Sequence, residues 1–284
     1  MNKLDRNEVP YLSHSKVVTL ERCPRCYYNQ YILGEKLDAT SVAVGSLFHQ
    51  AAKAFYQALP SDAAHRAPGR VMKRIALARL AAMKMMKGLA LKRLDKEPWA
   101  ESRNGLTTPQ MIKGLALGPL DKESKAKLRN ALTTLRNNQW KGYSVICLED
   151  PFFMDLCHGL PPIIGVPDLV LSQNGAFVVV DHKTSKTFKE LDSAQLVLYA
   201  EHIRRDHATN AIVGAFDEYR LVPKLSKIKK PVFRRTPVSV DRSFLPALIR
   251  RYRNAWKRIA RMSPNRKPAP SPDCWQCNSY GFWR

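Results

Sequence analysis

Acidic residues and long apolar runs are both scarce in this chain. Of 284 residues, 24 are Asp or Glu against 47 Lys or Arg, a formal charge of +23 with an isoelectric point near 10.0. The basic residues thicken towards the C-terminus, in LVPKLSKIKKPVFRR and IRRYRNAWKRIARM. A field of that sign draws polyanions, and nucleic acid is the first candidate. No apolar run approaches the ~20 residues of a membrane-spanning helix, so a membrane partner is not expected. The opening segment MNKLDRNEVP lacks the apolar core of a secretory signal. The expectation is a cytoplasmic protein. Cysteine is sparse too, with six residues. In a reducing compartment those suggest metal ligation before disulfides. The length suffices for one large core, with or without an insertion.

The most informative stretch is Ile163 to Lys186, IIGVPDLVLSQNGAFVVVDHKTSK. It reads as a β-hairpin. Ile163 to Leu171 is apolar and β-branched, Asn174-Gly175 is the strongest two-residue turn signal, and Ala176 to Val180 is an uninterrupted buried strand. That strand ends in Asp181-His182-Lys183, with Asp168 across the hairpin from it. Two converging carboxylates beside an ammonium suit a hard divalent cation that holds a phosphate. Asp-x-Lys alone carries little weight, because Glu123-Ser-Lys125 repeats it in a polar helical context. The hairpin, the buried strand and Asp168 give it meaning.

Cysteine spacing is the second signal. Cys23-Pro-Arg-Cys26 follows a capped helix start at Leu12-Ser-His-Ser-Lys, and Cys274-Trp-Gln-Cys277 follows a proline-rich stretch near the other end. Two such pairs predict one four-thiolate metal site, for which paired CxxC units favour Zn2+. Cys147 and Cys157 have no ligand-like spacing and are expected to be buried thiols.

The chain divides into four stretches. Residues 1–56 hold N-terminal helices, the first cysteine pair and His49, which stands beside the apolar face of a helix over Thr40 to Tyr56. Residues 57–140 are helical and basic, with a tandem duplication of 85–110 in 111–136; two copies are too few for a solenoid. Residues 141–262 alternate strands and helices. They include a helix that places Gln195 and Tyr199 at i and i+4 on one face, strands over Ala211–Val222 and Pro231–Val240, and a basic helix from Asp241 to Met262. Residues 263–284 form a tail with the second cysteine pair.

The order Cys-Pro-x-x-x-Tyr, Gly-x-x-x-His, Gly-x-x-Asp, Asp-x-Lys, Gln-x-x-x-Tyr and a final Cys-x-x-Cys resembles RecB-type nucleases of the PD-(D/E)XK superfamily. That group includes the AddB nuclease domain, CRISPR-adaptation nucleases and phage exonucleases. The resemblance implies an α/β protein: a restriction-endonuclease-like core, a mixed β-sheet flanked by helices, with a helical insertion and termini joined by a cysteine-bound metal centre. It implies a metal-dependent DNA nuclease, an exonuclease before an endonuclease, acting on single-stranded or duplex DNA ends in recombination, repair or phage DNA processing. His49, Asp168 and Asp181 would ligate Mg2+ or Mn2+. Asp168, Asp181, Lys183, Gln195 and Tyr199 would form the catalytic set. Cys23, Cys26, Cys274 and Cys277 would hold a 4Fe–4S cluster, with Zn2+ as the alternative. Cluster-bearing relatives typically use one N-terminal and three C-terminal cysteines, whereas here Asn278-Ser-Tyr-Gly-Phe-Trp283 fills the place of the last one and Cys26 is the candidate fourth ligand. Two rival classes stay open: an inactive nucleic-acid-binding protein of the same fold, and a zinc-ribbon-like binding module. Protein partners are not legible.

Overall fold

A computed structural model describes residues 11–35, 40–58, 120–224, 231–263 and 265–279. In chain order its elements are β1 (Leu12–Ser13), α1 (His14–Arg22), α2 (Pro24–Tyr27), α3 (Thr40–Gln57), α4 (Lys122–Asn137), β2 (Ser144–Cys147), β3 (Phe152–Met154), β4 (Ile163–Gly165), β5 (Leu169–Gln173), β6 (Ala176–Ser185), α5 (Ala194–His207), β7 (Ile212–Arg220), β8 (Phe233–Val238), α6 (Leu245–Ala260) and α7 (Trp275–Ser279). They build two mixed sheets, ordered β1-β4-β3 and β2-β5-β6-β7-β8. The described residues fall into two compact units. One is drawn from Met1–Asp38, Phe152–Gly165 and Asp241–Arg284, the other from Ala39–Pro151 and Val166–Val240.

The larger unit grows from the β5–β6 hairpin. Asn174 and Gly175 both take positive φ, 52° and 79°. That conformation suits the twist of a two-residue hairpin turn. Pairing runs from Gln173↔Ala176 to Leu169↔Val180, which sets Asp168 opposite Asp181. β6 is central: antiparallel to β5 and parallel to β7 over nine residues. Period-2 alternation sends Val178 and Val180 into a cluster with Phe48, Phe55, Leu128, Leu132 and Leu135 from α3 and α4. α5 packs on β6 and β7 with Leu196 buried. A Cβ at Gly214 would meet Val240 Cγ1 at 2.7 Å and Leu196 Cδ1 at 3.2 Å. Glycine there permits the close approach. The result is a sheet with helices on both faces, the expected fold class.

The smaller unit carries the short sheet. β4 runs parallel to β1 and antiparallel to β3. Ser13 caps α1, its side chain accepting from the Lys16 N–H at 3.3 Å. Arg251 of α6 holds Glu21 of α1 through a forked pair, Nε–Oε1 2.8 Å and Nη2–Oε2 2.6 Å, the geometry that makes arginine–carboxylate contacts specific.

Several expectations need correction. The hairpin does not begin at Ile163: residues 163–165 belong to the other sheet, and the chain changes sheets across Val166-Pro167-Asp168. Three-residue strands have too little periodicity to reveal their partner, and β1 lies far away in sequence. β6 does not stop at Asp181 but continues to Ser185, because β7 pairs with it throughout. Cys147 and Cys157 are half-buried, not buried. The 85–136 duplication lies outside the described residues up to position 119; the end of its second copy forms α4. The lysine-rich stretch 225–230 also lies outside them. Among the described residues no helix is long and apolar enough to cross a membrane.

Candidate active site

Asp168 ends the segment that delivers the chain to β5. Its Oδ2 accepts from the backbone N–H of His182 at 2.7 Å, locking the carboxylate against β6. Its Oδ1 lies 3.4 Å from His49 Nδ1, on α3. Burial alone would raise the Asp168 pKa, but the hydrogen bond and charge of His49 outweigh it and hold this carboxyl below the usual range. His49 answers in the opposite sense. Burial would lower its pKa, yet Asp168, with Asp181 and Glu149 behind it, raises it.

Asp181 is 2 % exposed. Burial drives its pKa up to about 6, with the Asp168 charge adding and Lys183 opposing. Lys183 Nζ stands 2.6 Å from Asp181 Oδ2. The contact is a short ion pair, and its charge opposes the upward shift of the Asp181 carboxyl. Lys183 itself is 36 % exposed in its side chain, so its ammonium can meet a ligand that Asp181 alone cannot reach. Gln195 Oε1 accepts from Lys183 Nζ at 3.2 Å, and Gln195 Nε2 donates to Tyr199 Oη at 2.7 Å. An ammonium can only donate, so only this amide orientation satisfies both contacts. The helical i, i+4 spacing thus becomes a relay that aims Lys183.

His182 does something different from its neighbours. Its ring stacks on Tyr56 (centroids 6.0 Å, 13°) and meets Phe48 and Tyr219 edge-on. Neither ring nitrogen has a hydrogen-bond partner, and burial lowers its pKa, so the ring is neutral packing. Its backbone, not its imidazole, serves the site.

One residue carries no mark in the sequence. Glu149, just past β2, has φ 50°. Non-glycine residues rarely adopt that left-handed conformation, and where they do it clusters at functional sites. Its N–H donates to Pro167 O at 3.0 Å, pinning it beside Asp168. Ligand atoms of His49, Glu149 and Asp168 lie within 4.8 Å of one another, and Lys53 Nζ sits 3.2 Å from Glu149 Oε2. The surroundings of Glu149, YSVICLEDPFFMDL, carry a strand-like pattern with no site motif, so nothing in the residues pointed to it. The donor set of the His49 imidazole with the Asp168 and Glu149 carboxylates, and the buried Asp181–Lys183 pair beside it, fits a hard divalent cation.

The smaller unit gathers Cys23, Cys26, Cys274 and Cys277, all at most 3 % exposed. Their Sγ atoms approach to 3.5 Å (Cys23–Cys277), 3.4 Å (Cys26–Cys274) and 3.5 Å (Cys26–Cys277). Those separations are well beyond a disulfide bond. Burial raises the Cys26 thiol and pushes Cys277 up to about 12. At Cys23 burial is outweighed by N–H donation from Ser271 and Cys26, which brings it down to about 6.

A family model described as the PD-(D/E)XK nuclease superfamily matches residues 11–280. A crystal structure of a "Putative exonuclease" from Eubacterium rectale aligns with a TM-score of 0.48 at 12 % identity, covering 95 % of this chain and 87 % of that chain. No curated protein matches.

Proposed function

Since the chain belongs to the PD-(D/E)XK nuclease superfamily, we propose that it is a divalent-cation-dependent DNA nuclease working on DNA ends. The observation that carries this reading is the convergence of Asp168, Asp181 and Lys183 at one end of the β5–β6 hairpin, with Lys183 aimed by Gln195. Asp168, Asp181 and His49, with Glu149 and the His182 carbonyl in support, would hold one or two Mg2+ or Mn2+ ions. A cation bound there supplies Lewis-acid polarisation of the scissile phosphate and acidifies a coordinated water.

The protein's own groups do the rest. Lys183 keeps a positive charge where negative charge develops on the phosphate, and needs no rearrangement to do so. Gln195 and Tyr199 hold that ammonium in place. His49 orients the Asp168 carboxylate. Lys and Arg residues of this strongly basic chain would grip the phosphodiester backbone without reading sequence. The exonuclease mode and a place in recombination, repair or phage DNA processing follow the resemblance. The four cysteines would form a structural metal centre. With all four thiols buried and available as ligands, that site would keep no open position for a substrate and would take no part in hydrolysis.

The test is incubation with end-labelled linear and with circular DNA, single-stranded and duplex, in Mg2+, Mn2+ or chelator. Expected is release of nucleotides from linear substrate alone, abolished by chelator. Cleavage of circles would replace the exonuclease reading with an endonuclease. Cleavage that survives chelation would refute the cation site.

Cation affinity should also depend on pH. The Asp181 pKa is raised to about 6 and that of His49 lies above its ordinary value, so the cation must displace protons from both at mildly acid pH. The Mg2+ dissociation constant should therefore rise as pH falls from about 7 to about 5, by about tenfold per unit for each proton displaced. Calorimetry in two buffers of different ionisation enthalpy reads that proton release. A pH-independent constant would show that Asp181 is not a ligand.

A further inference from the structure

We infer that the four-cysteine centre of the smaller unit takes a single tetrahedral Zn2+ and not the iron–sulfur cluster that the resemblance implies. The inference rests on the reading that these cysteines hold a metal, and is independent of the nuclease chemistry.

Size decides between the two. Zinc–thiolate bonds of about 2.3 Å in a tetrahedron set neighbouring sulfurs about 3.8 Å apart. The sulfurs here stand 3.4 Å to 3.5 Å apart across three pairs, and all four lie within 4.8 Å of one another. Small side-chain rotations would admit one ion. A 4Fe–4S cluster binds each thiolate to a different iron. Four irons and four sulfides would have to sit between sulfurs that are now nearly in contact.

The backbone leaves little freedom to widen the gap. Cys23 is at once the C-cap of α1 and the N-cap of α2, and Cys26 lies one turn on within α2. Cys277 lies in α7 and Cys274 directly precedes it. The two segments are already tied by Arg25 Nε to Pro268 O at 2.6 Å and Arg22 Nη2 to Gln276 Oε1 at 2.6 Å. Ser271 N–H donates to Cys23 Sγ at 3.4 Å, the kind of outer contact that orients a metal-bound thiolate. Sequence spacing agrees. Two CxxC pairs match a four-thiolate zinc site, whereas the one-plus-three cysteine arrangement of the cluster-bearing relatives is not the arrangement here.

The test is full-length protein made in iron-supplemented cells and purified without oxygen, analysed for zinc, iron and acid-labile sulfide. Expected is about one zinc per chain, with no sulfide and no visible absorption. Replacing Cys277 by histidine, which zinc accepts beside three thiolates, should keep the zinc and the fold. Iron and sulfide in equal amounts would overturn the zinc assignment while leaving the metal-centre reading intact. Four thiols titrating freely in folded protein that holds neither metal would overturn both.

Discussion

Replacing Asp181 by asparagine is expected to lower the rate of DNA cleavage by about 10^2-fold or more, the ~3 kcal/mol typical of losing one preorganised electrostatic contact to a transition state. Lys183→Ala should do the same by removing the charge itself. The fold should survive in D181N. Asp181 has a folded pKa raised to about 6 by burial, above its unfolded value. The stability it contributes is therefore full below the unfolded pKa and is lost as pH rises through about 6. At neutral pH the cation-free wild type has already lost it, whereas asparagine carries no charge to desolvate. Cation-free D181N should melt at or above the wild-type temperature at pH 7, and Mg2+ should no longer raise it. Full activity in either variant would remove the hairpin from the chemistry. A cation-induced rise in Tm that persists in D181N would remove Asp181 from the ligand set.

The second large effect lies under the site. Asp217 is fully buried, and its side-chain carboxylate is held by Arg235 through two bonds, Nε–Oδ1 2.7 Å and Nη2–Oδ2 2.8 Å, with Trp140 Nε1 donating to Oδ2 at 3.0 Å. Arg235 also lies 3.7 Å over the Trp140 ring and donates to Asn138 O at 2.8 Å. Arg235→Ala leaves a buried carboxylate without its cation, a change that costs about 3–5 kcal/mol. Lysine would not rescue it, because a point charge cannot make the forked contact. Removing both charges together, with Asp217→Ala added, should cost less than R235A alone. Denaturant unfolding measures all three. A loss in R235A no larger than that of an ordinary surface substitution, about 0.5 kcal/mol, would show that water or another group compensates Asp217. Because Asp217 pairs with His182 in the β6–β7 register, R235A should also loosen the strand that carries the site.

Much of this site was legible because its signals are local. Asn174-Gly175 specifies a turn whatever surrounds it, and the apolar run before Asp181 can only be an interior strand. Gln195 and Tyr199 meet because helical spacing brings i and i+4 together. What stayed hidden is non-local. The Asp217–Arg235 pair depends on which strands become neighbours, and neither residue stands out among the acids and arginines of a basic chain. The change of sheet at 166–168 depends on β1 finding β4. Glu149 matters only through a backbone twist and a bond to Pro167 that no residue pattern announces. The packing of the His182 ring among Tyr56, Phe48 and Tyr219 depends likewise on which helix and strand come to lie against the buried side of β6.

The cysteine centre also sets an order of events in synthesis. Cys26 and Cys274 are 248 positions apart. At ordinary translation speeds the second emerges roughly 12 to 50 s after the first. The first pair of thiols must wait through that interval with no partners, while the hairpin and its helices are already available to fold. The smaller unit is therefore completed last, and only by a chain that has been read through its second cysteine pair. A message cut short upstream would yield the hairpin with its acidic residues in place and a bare dithiol near the N-terminus, open to oxidation and to capture by quality control.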